Sequence, residues 1–439
     1  MRLGKLMACV LAVMLLLTFV GCAQQGDDNV QGTPPAPEGT PDSDTGDVTE
    51  ATTLKVYTWW DVTKFEHLNV MKEQFEEQNP DLKLEFVTIP SKYANTMVIK
   101  LAGGEIPDVM MLAMDQIPRY AQNGMIMPLT DYASQEYLDS LYPVVQEALT
   151  VDGQLYAVAR DITPKVMYLN TKIFEGANVE IPSEDWTVND FVEVAKQLTK
   201  GSGVDAQWGY YWKNFTDQTF AFIAAFGGKM YSEDGLHSVL STDENTKDAV
   251  QFMYDLQNTY KVCPSAEQAA QYGDNEYSAF MADKVAMQIG GLSIQSTLDA
   301  AGTEYTVLPM PFINGVSSTS SFVNSWVIPT SAKNADLSWR VLEFFSGKEG
   351  QQIALDMEFG LPASTEVDTA AFEAERPYNK YYIDALKTAV PYPVNKNGSN
   401  FQTMFVQECE KLWAGVSTPE EFETTVDEQA ESILSAPVF

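Results

Sequence analysis

Three consecutive residues, Trp59, Trp60 and Asp61, combine two large aromatic faces with a carboxylate. That combination suits a small polyhydroxylated molecule. Carboxylates and amides exchange hydrogen bonds with vicinal hydroxyls, and aromatic rings stack on the apolar C–H side of a pyranose. The three residues follow an alternating run, Leu54-Lys55-Val56-Tyr57-Thr58. They are therefore expected at the carboxyl end of a strand, where open α/β sheets bind ligands. The other reading puts one tryptophan in the core and uses Asp61 to cap the next helix. Asp115 follows the apolar run Val109–Leu112 in the same way, either as an acceptor for a hydroxyl or as a helix N-cap. Gly290, Gly291 and Leu292 close another strand-like run and would bring backbone amides to a ligand. In Trp208-Gly209-Tyr210-Tyr211-Trp212, alternation puts Trp208, Tyr210 and Trp212 on one face; core packing explains most of that stripe and leaves Trp212 as its cleft candidate. Tyr392, between Pro391 and Pro393, is a further aromatic candidate. Asp61 and Asp115 could also be imagined as the carboxylate pair of a glycosidase, about 5–10 Å apart across one ring. No glycosidase signature accompanies them.

The elements that must position these residues alternate between strand and helix. Leu54–Thr58 reads as a strand and residues 64–78 as a helix burying Phe65, Leu68, Met71 and Phe75, stopped by Asn79-Pro80. Leu82–Val87 reads as a strand. A helix capped by Ser91 and ending at Gly103-Gly104 follows, then a buried parallel strand at Val109–Leu112. This is the pattern of an α/β lobe with a largely parallel sheet. The middle of the chain is more helical. Trp186-Thr187 opens one helix, and Ser241 and Glu244 have capping-box spacing before another. Val285–Ile289 and Tyr305–Leu308 are strand-like runs, and 338–345 and 351–357 read as helices.

The first 53 residues have a different character. Arg2 and Lys5 precede 16 uncharged residues, Leu6 to Gly21. That run is shorter than the roughly 20 residues a membrane-spanning helix needs, so residues 1–21 read as a secretory signal. Phe19-Val20-Gly21-Cys22 resembles a bacterial lipobox, with Cys22 as the lipidated residue and Phe19 where Leu is usual. Residues 22–53 would form a tether, since from Ala23 onward they carry seven acidic side chains, no Lys or Arg and four prolines. The net charge of −34 offers no basic stripe to neutralise phosphates, so nucleic-acid binding is not expected. Cys263 and Cys409 are left either to form one disulfide or to be two buried thiols. Two histidines, His67 and His237, and no paired Cys/His spacing give little support to a metal site, and no cofactor is expected.

Leu101–Leu129 carries Ala102, Gly104, Pro107, Asp108, Val109, Tyr120, Ala121, Gly124, Pro128 and Leu129. Together with "LKVYTWWD" (54–61), Gly227-Gly228, "DKVAMQIGG" (283–291), "VLPMP" (307–311) and the segment 321–352, it resembles the family 1 extracellular solute-binding proteins, the group that includes maltose-binding proteins. The resemblance covers residues 54–439. Tyr168-Leu169-Asn170 departs from the usual Tyr-Asn, and Ser325-Trp326 stands where many members have a small residue.

The resemblance implies a periplasmic-binding-protein-like α/β fold of type II, with two lobes, 54–160 plus 309–365 and 161–308 plus 366–439. The chain would cross between them near Arg160–Asp161, Thr306–Pro309 and Thr365. It implies a carbohydrate held between hinged lobes and passed intact to the permease of an ABC importer. The protein would be a monomer without catalytic activity, lipid-anchored on the extracellular face of the cytoplasmic membrane. Asp115 falls where maltose-binding proteins place an acidic sugar-binding residue, and Gln116 replaces a basic one. Arg160 and Asp161 would face the cleft as an ion pair that a ligand completes, or serve as a hinge salt bridge. Asn324 and Trp326 would come from the returning strand, Trp326 narrowing the cleft. Asp108 is expected to make a structural hydrogen bond.

Overall fold

Strand β1 (Thr52–Thr58) buries Leu54, Val56 and Thr58 and pairs in parallel with β2 (Leu82–Thr88), from Thr52 against Leu82 to Thr58 against Thr88. On its other side lies β3 (Val109–Ala113), whose first four residues are all buried, as a strand covered on both faces must be. The computed structural model describes residues 51–201, 205–212, 215–273 and 275–437. The signal segment, Cys22 and most of the tether therefore lie outside the described residues.

Two short strands, β4 (Thr150–Val151) and β5 (Gln154–Leu155), make a hairpin that leads into β6 (Val158–Pro164). A single residue, Lys165, separates β6 from β7 (Val166–Asn170). That residue also separates two sheets. The first has the order β12-β11-β3-β1-β2, with β6 also paired to β11 (Ser320–Val327) and with β12 (Val390–Pro391) at its edge. The second has the order β10-β7-β9-β8, built from β8 (Trp208–Tyr210), β9 (Val285–Gly290) and β10 (Tyr305–Leu308).

The first sheet is mixed rather than largely parallel. Strand β11 returns from the second sheet and runs antiparallel to both β3 and β6. Strand β7 is antiparallel to β9 and β10, and only β8–β9 is parallel in the second sheet. Several helix starts also differ from expectation. The first helix runs Glu66–Gln78, so Asp61 does not cap it. Ser91 caps nothing, because the helix Tyr93–Ala102 begins after Lys92. Asp243, not Ser241, caps Glu244–Asn258 through the Thr246 N–H. Thr187 does cap Val188–Leu198, with Asp190 completing a capping box. Asp108 Oδ2 accepts from the Lys55 N–H at 2.8 Å and ties β3 to β1. The helices Gly398–Trp413 and Pro419–Leu434 pack on each other and on Phe215–Phe226 and Glu244–Asn258.

Candidate ligand-binding cleft

Strand direction decides where the candidate residues meet. Strands β1 and β3 are parallel, so their carboxyl ends share one edge of the first sheet. Strand β11 enters at that edge, with Asn324 opposite Ala113, and β6 leaves there, with Pro164 opposite Ser321. In the second sheet the start of β7 lies beside the ends of β9 and β10, with Val166 opposite Gly290 and Met167 opposite Leu308. Lys165 joins the two edges. The strand ends that open α/β sheets use for ligands are thus joined through one residue.

A cavity of about 760 Å³ opens here, lined by Thr163, Lys165, Asp217, Glu276, Tyr277 and Gly291 among others. Lys165 Nζ pairs with Asp217 Oδ2 at 2.5 Å. A second hollow of about 300 Å³ sets Asp115, Gln116 and Arg119 against Lys396, Asn397 and the start of the helix Gly398–Trp413. The Tyr392 hydroxyl is pushed up first by burial, then by the negative charge of Asp217, and also by that of Asp115. Tyr392 therefore lies within electrostatic reach of one acid from each hollow. Its ring is buried against Phe220 and Phe322, at 4.8 and 5.4 Å between centroids.

Trp59 and Trp60 differ in environment. Trp59 is half-buried and makes edge-to-face contacts with Tyr93 at 5.2 Å and Trp60 at 5.7 Å. Trp60 is wedged against Phe65 and Phe359, with the Arg160 guanidinium 3.6 Å from its ring centroid. Asp61 accepts from the Thr63 hydroxyl at 2.6 Å and the Thr63 N–H at 3.1 Å, which holds its carboxyl below the usual range. Asp115 is desolvated, which raises its carboxyl, while a 2.8 Å hydrogen bond from Gln116 Nε2 opposes the shift.

Arg160 and Asp161 do not face the open cavity. The β6–β11 register shifts between Asn324 and Ser325, leaving Arg160 without a cross-strand partner, and such a bulge re-aims the side chain. Arg160 is 6% exposed and ion-paired to Asp161. Burial pulls the guanidinium down to about 10, the Asp161 charge opposing, and pushes the Asp161 carboxyl up, the Arg160 charge opposing. Asp161 Oδ1 accepts from Asn324 Nδ2 at 3.0 Å. Gly360 leaves room for this carboxylate: a Cβ there would lie 2.6 Å from the Asp161 Cβ.

Two tryptophans expected at the cleft are core residues. Trp326 is 0% exposed, sits opposite Met111 and packs on Phe345 at 5.4 Å. It fills the sheet instead of narrowing the cleft: Asn324 and Trp326 share a face by alternation along β11, but Asn324 lies at the edge opposite Ala113 and stays half-buried, whereas Trp326 lies two residues further in and is covered by Phe345 of the helix Ala335–Ser346. Trp212 is 1% exposed and Tyr210 is fully buried, while Trp208 on the same face is half-buried. Gly291 does line the large cavity, and a Cβ there would meet Thr163 Cγ2 at 2.6 Å; Leu292 beside it is half-buried. Lys165, Asp217, Glu276 and Tyr277 were not anticipated. Lys165 could have been found from its place between two apolar runs, but the other three lie on a helix and a loop with no marking pattern.

Among the described residues no group of three His, Cys, Asp or Glu side chains is placed to hold a metal ion. Cys263 and Cys409 are buried free thiols, not a disulfide.

Residues 71–379 match the model of a family described as bacterial extracellular solute-binding protein. The maltodextrin-binding protein of Bacillus subtilis is 22% identical over 361 residues, 80% of this chain and 81% of that protein. A maltooligosaccharide ABC transporter solute-binding lipoprotein of Streptococcus pneumoniae is 24% identical over 66% of this chain and 67% of its own length. An ABC substrate-binding protein from Listeria monocytogenes, solved in complex with cycloalternan, superposes with a TM-score of 0.74 at 23% identity, covering 87% of this chain and 99% of that one. The fold is that of the type II periplasmic binding proteins.

Proposed function

We propose, from the premise that this chain belongs to the bacterial extracellular solute-binding proteins, that it captures a neutral carbohydrate, an oligosaccharide in particular, between two lobes and delivers it unchanged to an ABC importer. The family consists of substrate-binding proteins rather than enzymes. The observation that carries the ligand class is the lining of the large cavity. Its cation, Lys165, is paired with Asp217, and the hydroxyl-bearing residues Thr163 and Tyr277 line the same cavity. A phosphorylated or carboxylated solute would call for an uncommitted cation. Neutral hydroxyls need only donors, acceptors and an aromatic platform, for which Trp59 is the candidate. Relatives named for maltodextrin and maltooligosaccharide support the same class.

In this reading the lobes are 54–160 plus 309–365 and 161–308 plus 366–439, and the short passage around Lys165 is one of the hinges. Lipidation at Cys22 and a tether through residue 53 would hold a monomer on the extracellular face of the cytoplasmic membrane. The name of the pneumococcal relative supports the lipoprotein reading. An enzymatic use of Asp61 and Asp115 has no such support.

A thermal-shift screen of mono- and oligosaccharides against residues 54–439 tests the proposal. A cognate sugar raises the midpoint and is recovered chemically unaltered. Turnover of the sugar, or a response confined to charged solutes, overturns it.

A further inference from the structure

The Arg160 guanidinium sits in an aromatic box, with its central carbon 3.6 Å from the Trp60 ring centroid, 5.0 Å from Phe359 and 5.9 Å from Trp59. Among the described residues Nε and Nη1 have no hydrogen-bond partner. Aromatic faces take the place of those partners, an arrangement that favours a planar, weakly hydrated cation. Trp60 is fixed in turn by Phe359 at 4.5 Å and Phe65 at 5.1 Å, and His67 backs Phe359 in a stacked contact. Trp59 makes edge-to-face contacts with both Trp60 and Tyr93. The Tyr93 hydroxyl is anchored on the Tyr57 carbonyl at 3.0 Å. A continuous line of contact therefore runs from the bulge in β6 through Trp60 to the half-buried Trp59.

We infer that Arg160 is a positioning residue: it sets the orientation of Trp59 as a stacking platform for ligand, although it touches no ligand itself. This rests on the proposal that Trp59 meets the sugar. It also gives a reason for keeping a costly buried charge five residues before the sheet switch, where an apolar side chain could fill the same space. An aliphatic chain would fill volume but would not hold an indole face-on, so the platform would lose its fixed orientation and stacking would carry an added ordering cost.

The test uses 5-fluorotryptophan and ¹⁹F NMR on residues 54–439, with the Trp59 line assigned from Trp59→Phe. Arg160→Lys retains a positive charge for Asp161, and Arg160→Met combined with Asp161→Asn removes both charges together. The expected result is that both variants shift or broaden the Trp59 line while the core lines of Trp212 and Trp326 stay in place. An unchanged Trp59 line overturns the inference. Affinity for maltotriose as the probe supplies the second arm. Arg160→Lys weakens binding about tenfold when Trp59 is present and leaves it unchanged in a Trp59→Ala background. Equal losses in both backgrounds overturn the inference. Absence of maltotriose binding by the unaltered protein counts against the ligand proposal, and the NMR arm still decides the role of Arg160.

Discussion

Lys165 Nζ lies 2.5 Å from Asp217 Oδ2, and this ion pair ties the residue between the two sheets to the first turn of the helix Phe215–Phe226. The pair lines the large cavity, so it commits that wall's lysine to an acid while tying down the passage between sheets. Both side chains keep some exposure, so its contribution to stability is small.

Lys165→Met is therefore expected to cost about 1 kcal/mol of stability or less. It leaves the Asp217 carboxylate without this cation in the cavity wall. Affinity for a neutral oligosaccharide should fall about tenfold, equivalent to about 1.4 kcal/mol. Calorimetric titration and thermal unfolding of the same variant separate the two effects. A stability loss with unchanged affinity would remove Lys165 from the binding wall.

Trp59 and Trp326 make the sharpest contrast between site and core. Trp326→Ala opens a cavity in the first sheet and should destabilise by about 3–5 kcal/mol. Trp59→Ala removes a half-buried ring and should cost about 1 kcal/mol of stability, with a larger loss of sugar affinity. Denaturant midpoints and binding isotherms check both, and the reverse pattern would exchange their roles.

Glu423 is 4% exposed in the helix Pro419–Leu434, and burial pushes its carboxyl from 4.5 up to about 7, with Lys247 opposing. The folded state holds this proton more tightly than the unfolded chain. Its contribution is fully present below pH 4.5 and is lost as pH rises through 7. Glu423→Gln should remove that fall and stabilise the protein above pH 7 by on the order of 1–3 kcal/mol. Unfolding free energies across pH 4–8 give the answer.

His67 has the opposite slope. Burial, assisted by the Arg160 charge, holds its imidazole neutral and lowers it from 6.5 to about 3. Its neutral form is compatible with the fold above pH 6.5, and stability is lost as pH falls from there toward 3. His67→Phe should flatten that acid limb. An unaltered limb would show that the ring is protonated without cost.

Cys263 and Cys409 are both buried, and desolvation pushes both thiols far above their usual range. Neither should react with a thiol reagent at pH 8 until the protein unfolds, after which two equivalents should appear in residues 54–439. Prompt labelling of either would contradict its burial.

Much of this molecule was legible from its residues. The runs at Leu54, Leu82, Val109, Val285 and Tyr305 are strands, and Thr187 caps its helix, because these features depend on side chains a few positions apart. The motif-bearing segments led to the family, and the alternating and apolar runs placed Trp59, Asp115 and Gly291 just beyond strand ends, where the structure has them. Tertiary structure alone decided that Trp326 is core while Asn324 keeps partial exposure, and that Arg160 turns into an aromatic box. The first follows from Phe345 covering Trp326, the second from the extra residue that β6 carries where it pairs with β11, strands more than 150 residues apart in the chain. It also decided that Lys165 and Asp217 meet. Local sequence sets how side chains alternate along a strand. Which face becomes interior, and which charge finds which partner, depends on the strands and helices packed across from it, and those arrive from distant parts of the chain.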